Sequence, residues 1–292
     1  MKSVLRLLCL CFSAAAGLAQ TPASLPRPPD ALVENRGFHL DLLPKAFISN
    51  PTIEMTVYSE LTEYGRTLPE ASPQNPVYYV AHSGGFRPMG EPMGGEHPPM
   101  PEVLEQTFLR ILTERSYVAT TDQAHPPALM LNYFWGSHTA LDPELALMFR
   151  ELHEQNMLDR ALLVGGRPYA RKLQQEMEFG MTILNISAKQ DYLHYQAAHD
   201  LYYVVVSAYD FKSIASGERK LAWRTTMTVN AQGVSMKETL QPLISSGGYY
   251  LGRGSGEPMA IRREVQRGTV KLGPLRIIEE DVKLPKPPEK AK

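Results

Sequence analysis

The chain has 292 residues, 43% of them hydrophobic and 21% charged, with a formal net charge of −1. Gly (21) and Pro (24) are raised but follow no period, which excludes collagen, a coiled coil, a multi-span membrane protein and a wholly disordered chain. The near-neutral balance excludes a dedicated nucleic-acid binder, which carries a basic excess.

Residues 1–20 read MKSVLRLLCLCFSAAAGLAQ. Lys2 and Arg6 give a positive start, Leu7 to Ala16 form an uncharged and mostly apolar run, and Gly17 and Ala19 are small residues ahead of a cut before Gln20. This is the pattern of a secretory signal peptide over 1–19. The apolar run is shorter than the roughly 20 residues of a lasting anchor. The expectation is therefore a periplasmic or secreted protein whose mature chain has no transmembrane segment. Cys9 and Cys11 are the only cysteines and follow Leu8 and Leu10, so no lipidation site is expected. The mature chain would have no thiol, hence no disulfide, thiolate metal site or Cys nucleophile. Loss of Lys2 and Arg6 takes the net charge from −1 to −3.

Residues 20–35 are rich in Pro and read as a flexible linker, and 283–292 as a basic Pro/Lys tail. Between them, 36–282 is expected to be a single domain. IEMTVYSE (53–60) alternates as a half-buried strand does, and VYYVAH (77–82) is rich in strand formers. Pro101 opens a helix at its favoured first position, with Leu104, Phe108, Ile111 and Leu112 on one face and Glu102, Arg110 and Glu114 on the other. ALMLNYFWG (128–136) is a strand.

Asp142-Pro143 supplies an N-cap and an N1 proline for a second helix. Its apolar face would carry Leu145, Met148 and Leu152, and it would stop at Gly165-Gly166. A third helix follows over 168–183, and 190–200 is ambiguous. LYYVVVSAYD (201–210) reads as a strand covered on both faces. Ser216-Gly217 turns the chain into LAWRTTMTV (221–229), whose period of two predicts one buried face that includes Trp223. Ser235 and Glu238 form a capping-box pattern, Pro242 should end or kink the helix that follows, and GTVKLGPLRIIEE (268–280) reads as a last strand. The class is α+β: an antiparallel or mixed sheet with helices mainly on one face, plus an inserted helical layer over about 142–199.

Candidate chemistry is sparse. Met89, Met93, His97 and Met100 fall in the Gly/Pro-rich stretch 83–100. Thioether and imidazole donors suit copper, so these four form a candidate copper site, with a surface loop as the plainer reading. His194 and His199 are five apart, one more than a helix face prefers. GRGSGE (252–257) matches neither a dinucleotide loop nor a serine elbow and reads as a flexible turn. Carboxylates such as Glu151 with Glu154 leave a hydrolase with an unrecognised acidic site as a further alternative. Asn185-Ile186-Ser187 fits a glycosylation pattern.

One arrangement has a counterpart elsewhere. A helix ends in RSYVAT (115–120), PPALMLNYFWG follows, and then come Tyr209-Asp210, a Ser-Gly turn and Leu221-Ala222-Trp223-Arg224. This resembles small envelope α+β domains of bacterial lipoproteins and assembly factors, of the curli-secretion lipoprotein type and the penicillin-binding-protein activators. The likeness covers 101–136 and 201–246; the absence of a lipidated Cys and the insertions at 83–100 and 142–199 depart from it. It implies a non-catalytic accessory or binding role, with an envelope protein or cell-wall component as partner, and it carries over no functional residue.

Overall fold

The computed structural model describes residues 50–91, 93, 97–179 and 187–266, together with Pro44, Lys45 and Ile48. The expected signal segment, linker, glycosylation asparagine, strand over 268–280 and basic tail lie outside the described residues. A seven-stranded mixed sheet dominates, ordered β3-β2-β4-β5-β6-β1-β7. Its strands are β1 (Thr52–Leu61), β2 (Val77–Phe86), β3 (Tyr117–Ala119), β4 (Leu129–His138), β5 (Leu201–Asp210), β6 (Leu221–Asn230) and β7 (Met259–Glu264). β2 runs parallel to β3 and β4, and the other neighbours are antiparallel. The chain is α+β, as its alternating patterns imply.

The main core lies on one face of the sheet. There α2 (Pro101–Glu114) buries Leu104, Phe108, Ile111 and Leu112, the face its spacing predicts. Beside it, α7 (Met236–Gly247) starts at the Ser235–Glu238 capping box and buries Met236, Leu240, Leu243 and Ile244. Pro242 lies inside this helix and does not end it. Burial of Leu240 before it and Leu243 and Ile244 after it outweighs the one backbone bond a proline removes.

The insertion covers the opposite face. α3 (Pro143–Met148) is capped by Asp142, and α4 (Arg150–Phe179) is interrupted at Gly166, with φ 66° and ψ −168°. α4 therefore behaves as two helices, meeting where the Gly165-Gly166 stop was expected. α5 (Ala188–Ala198) resolves the ambiguous 190–200 as helix up to Ala198, started by the Ser187 side chain. Ala161, Val164, Tyr169, Leu173, Leu193, Ala197 and Leu201 form a second, smaller core between α4, α5 and the sheet.

Two expectations fail here. The helix expected from 142 breaks at Phe149, and α3 buries nothing: Leu147 is 87% exposed, and Met148 and Leu152 face solvent. The break rotates the first turn of the apolar stripe away from the sheet. β6 was expected to bury one face, yet Ala222, Thr226 and Thr228 are buried as well. The inserted helices cover the face that a two-layer domain would leave wet.

Candidate functional site

The ends of β1, β5 and the starts of β2, β4 and β6 meet at one end of the sheet. Two short segments close over them: α1 (Glu63–Thr67) with the stretch that follows it, and the Tyr249–Gly254 turn after α7. Thr62 caps α1 and donates its hydroxyl to the Leu221 and Ala222 carbonyls at 2.7 and 2.9 Å, which pins α1 to β6. Between these segments and the core face lies a cavity of about 630 Å³.

Its walls are largely aromatic. Trp223, 2% exposed, meets the Tyr117 ring edge-on at 6.1 Å. Tyr249 packs perpendicular to Tyr250 at 5.1 Å. It also lies beneath two guanidinium groups, Arg115 at 4.4 Å and Arg253 at 5.2 Å from its ring centroid. Leu61, Leu68, Ala71, Val77 and Leu129 complete the apolar lining. Gly252 lets the turn approach: at φ 72° its backbone faces the Tyr117 hydroxyl, and a Cβ there would collide with that oxygen.

Polar groups are few and mostly engaged. Tyr64 donates its hydroxyl to Asp210 Oδ1 at 2.7 Å, and the Lys220 ammonium sits 4.0 Å over the Tyr64 ring. Asp210 also accepts from the Ser213 backbone N–H at 2.7 Å, capping α6 (Phe211–Ala215). Glu70 pairs with Arg253 at 3.1 Å. Burial and then the Asp210 contact push the Tyr64 phenol up to about 12, and burial, against the Arg253 charge and the Trp223 indole, brings Tyr117 to about 12, so both stay neutral at physiological pH. Burial, then the neighbouring Arg253 charge, lowers Arg115. The Trp223 indole nitrogen is buried without a full hydrogen bond, the Tyr117 hydroxyl being its neighbour across the cavity floor.

The cavity thus offers a greasy, ring-lined interior, two neutral polar handles in Tyr117 and Trp223, and the cations Arg66, Lys212 and Arg253 in its lining. It does hold two carboxylates. Glu70 is paired with Arg253, and Asp210 accepts from the Tyr64 hydroxyl and caps α6. The lining contains no His, Ser or Cys.

The expected copper ligands occupy different surroundings. Met89 joins the end of β4, its N–H donating to the Ser137 carbonyl at 2.7 Å and its carbonyl accepting from the Thr139 N–H at 3.1 Å. Met93 packs against the main core, His97 is exposed, and Met100 is the 67%-exposed residue ahead of α2. Part of the stretch read as loop is strand, since β2 continues to Phe86 with an irregularity after Ser83. Among the described residues, no cluster of three or more His, Cys, Asp or Glu side chains could hold a metal ion. His194 and His199 do not converge: His194 lies 3.1 Å from Glu176, and His199 Nδ1 meets the Tyr195 carbonyl at 2.7 Å.

Sequence reasoning placed Trp223 in the core and GRGSGE in a turn, and both statements hold, but it missed that Trp223 and the start of this turn line one cavity. The usable signal was topological: Tyr117, Trp223 and the Tyr249-Tyr250 pair all fall where elements begin or end.

No protein-family profile and no curated protein matches this chain. Among solved structures, it is similar to a PDZ domain protein from Parabacteroides distasonis, with 9% identity and a TM-score of 0.36. The likeness covers 73% of this chain and 40% of that one, so the chain spans less than half the length of the structure it matches.

Proposed function

We propose that this protein is an exported, non-catalytic envelope protein that binds an apolar, ring-bearing ligand, or an apolar side chain of a partner, in the cavity beneath Tyr249. The observation that carries this reading is the cavity itself: about 630 Å³, aromatic-walled, with both of its carboxylates already committed. Ligand sites of this size are mostly apolar with a few polar groups that fix orientation. Here Tyr117, Trp223 and the lining cations Arg66, Lys212 and Arg253 would supply those groups. The export signal and the resemblance to envelope accessory domains support the compartment. Within it, a partner protein or cell-wall component presenting an apolar group is the natural occupant.

The test is a fluorescence titration of the mature chain with N-phenyl-naphthylamine. Saturable enhancement with a dissociation constant of about 10 µM or tighter is expected, and Ala71→Trp, which fills the cavity from its wall, should abolish it without lowering the thermal midpoint. Equal binding by Ala71→Trp would sink the proposal, as would turnover by the purified chain in a broad hydrolase screen. Amino-terminal sequencing of the protein from fractionated cells should begin at Gln20; an uncut cytosolic chain removes the envelope assignment.

A further inference from the structure

The opposite face of the sheet carries a second, chemically different cleft of about 370 Å³. The register there lines up one residue from each of five neighbouring strands. His82 pairs with Asn132, Asn132 with Ser207, Ser207 with Arg224, and Arg224 with Glu60. Directly paired residues share a face, so these five form a polar row across β2, β4, β5, β6 and β1. The next row, Phe134, Val205, Thr226 and Tyr58, is mostly apolar and forms the cleft's second wall. Leu162 and Leu163 roof it, and Arg167 enters just after the Gly166 break.

A row of polar groups in a sheet otherwise built for burial needs a reason. Arg224 donates its Nε–H to Ser207 Oγ at 3.1 Å, which orients the guanidinium and leaves its outer nitrogens for a ligand. Glu60 opposite makes no ion pair with it among the described residues. Asn132 Oδ1 is buried and has no hydrogen-bond partner, an arrangement that costs about 1–3 kcal/mol when left unfilled. Arg224 and Arg167 both line the cleft, and Asn132 lies two strand spacings from Arg224, about 10 Å away. Three extended residues span about the same distance.

We propose that this cleft binds the carboxyl end of a short peptide, with its terminal carboxylate on Arg224 and Arg167 and its backbone running along the polar row toward Asn132. Planar guanidinium pairs are the side chains best matched to a carboxylate. Small side chains fit against Phe134 and Val205. This site is independent of the aromatic cavity, which lies on the other face.

Calorimetric titration of the protein with trialanine and with trialanine amide tests it. The free acid is expected to bind at millimolar affinity or better and the amide about tenfold more weakly. Arg167 is exposed, so Arg167→Ala should leave the thermal midpoint unchanged while weakening the acid about fivefold. Arg224→Gln should weaken it further. Ala71→Trp, which blocks the other cavity, should leave peptide binding intact. The assignment is overturned if acid and amide bind alike, if the acid fails to bind folded protein at millimolar concentration, if both arginine variants keep full affinity, or if Ala71→Trp removes binding.

Discussion

Gly166 shows how one residue can set the position of a whole layer. Its φ of 66° with ψ near −168° is a conformation open almost only to glycine, and a Cβ there would collide with the Tyr58 ring. Gly166→Ala should therefore destabilise the protein by about 2–4 kcal/mol, combining backbone strain and overpacking. Urea unfolding would measure this; a loss below 1 kcal/mol would show that the break relaxes freely. His138 makes a similar point about charge. It is 3% exposed, its Nδ1 faces the Thr139 carbonyl at 3.2 Å, and burial lowers its pKa below the ordinary 6.5. The native state then holds fewer protons than the unfolded chain below about pH 6.5, so this residue's contribution to stability is lost on acidification.

At the scale of elements, the inserted layer hangs on Arg160. This side chain is 1% exposed and joins three pieces of chain: it donates to the Ala197 carbonyl at the end of α5, to the Thr139 carbonyl at 3.0 Å and to Asn156 within α4. Burial lowers its pKa to about 10, against the pull of Asp200 and Asp159, and it remains charged at neutral pH. Arg160→Met keeps the volume but strands those acceptors, and it should cost about 3 kcal/mol. Hydrogen exchange should locate the damage, with α5 amides opening faster and β5 amides protected; uniform loosening would contradict the latch. The elements most legible in the sequence were β1, α2 and β4: α2 buries one stripe at helical spacing, and β4 from Leu129 to Trp135 alternates with a period of two, as β1 does apart from Thr56. Those that misled were governed by neighbours. The Phe149 break detaches Met148 and Leu152 from the sheet with no Gly or Pro to announce it, and Thr226 and Thr228 are buried because distant helices lie over them. The candidate cavity was hidden for the same reason. It is assembled from residues between Leu61 and Gly254 that share only an end of the sheet, and no spacing in the chain records that.

For the molecule as a whole, buried tyrosines decide the alkaline limit. Burial raises Tyr64, Tyr79, Tyr117 and Tyr203 from 10 to about 12, and raises Tyr169 and Tyr192 further. Between pH 10 and 12 the folded chain holds phenolic protons that the unfolded chain has released. Stability is accordingly full below pH 10 and falls as pH climbs toward 12. Phenolate absorbance should rise in step with the loss of far-ultraviolet dichroism over that interval. Smooth titration near pH 10 with the fold intact would contradict the burial pattern.

Trp223 and Arg224 are neighbours in the chain, yet one floors the aromatic cavity and the other anchors the polar cleft, because successive strand residues point to opposite faces. Deleting or inserting a single codon upstream within β6 would swap their destinations, driving a guanidinium into grease and an indole into the arginine-lined groove. Point substitutions along this strand can drift one compartment at a time, whereas length changes ruin both together. Divergent copies of this protein should therefore keep the number of residues between Leu221 and Asn230 fixed even where their identities have scattered.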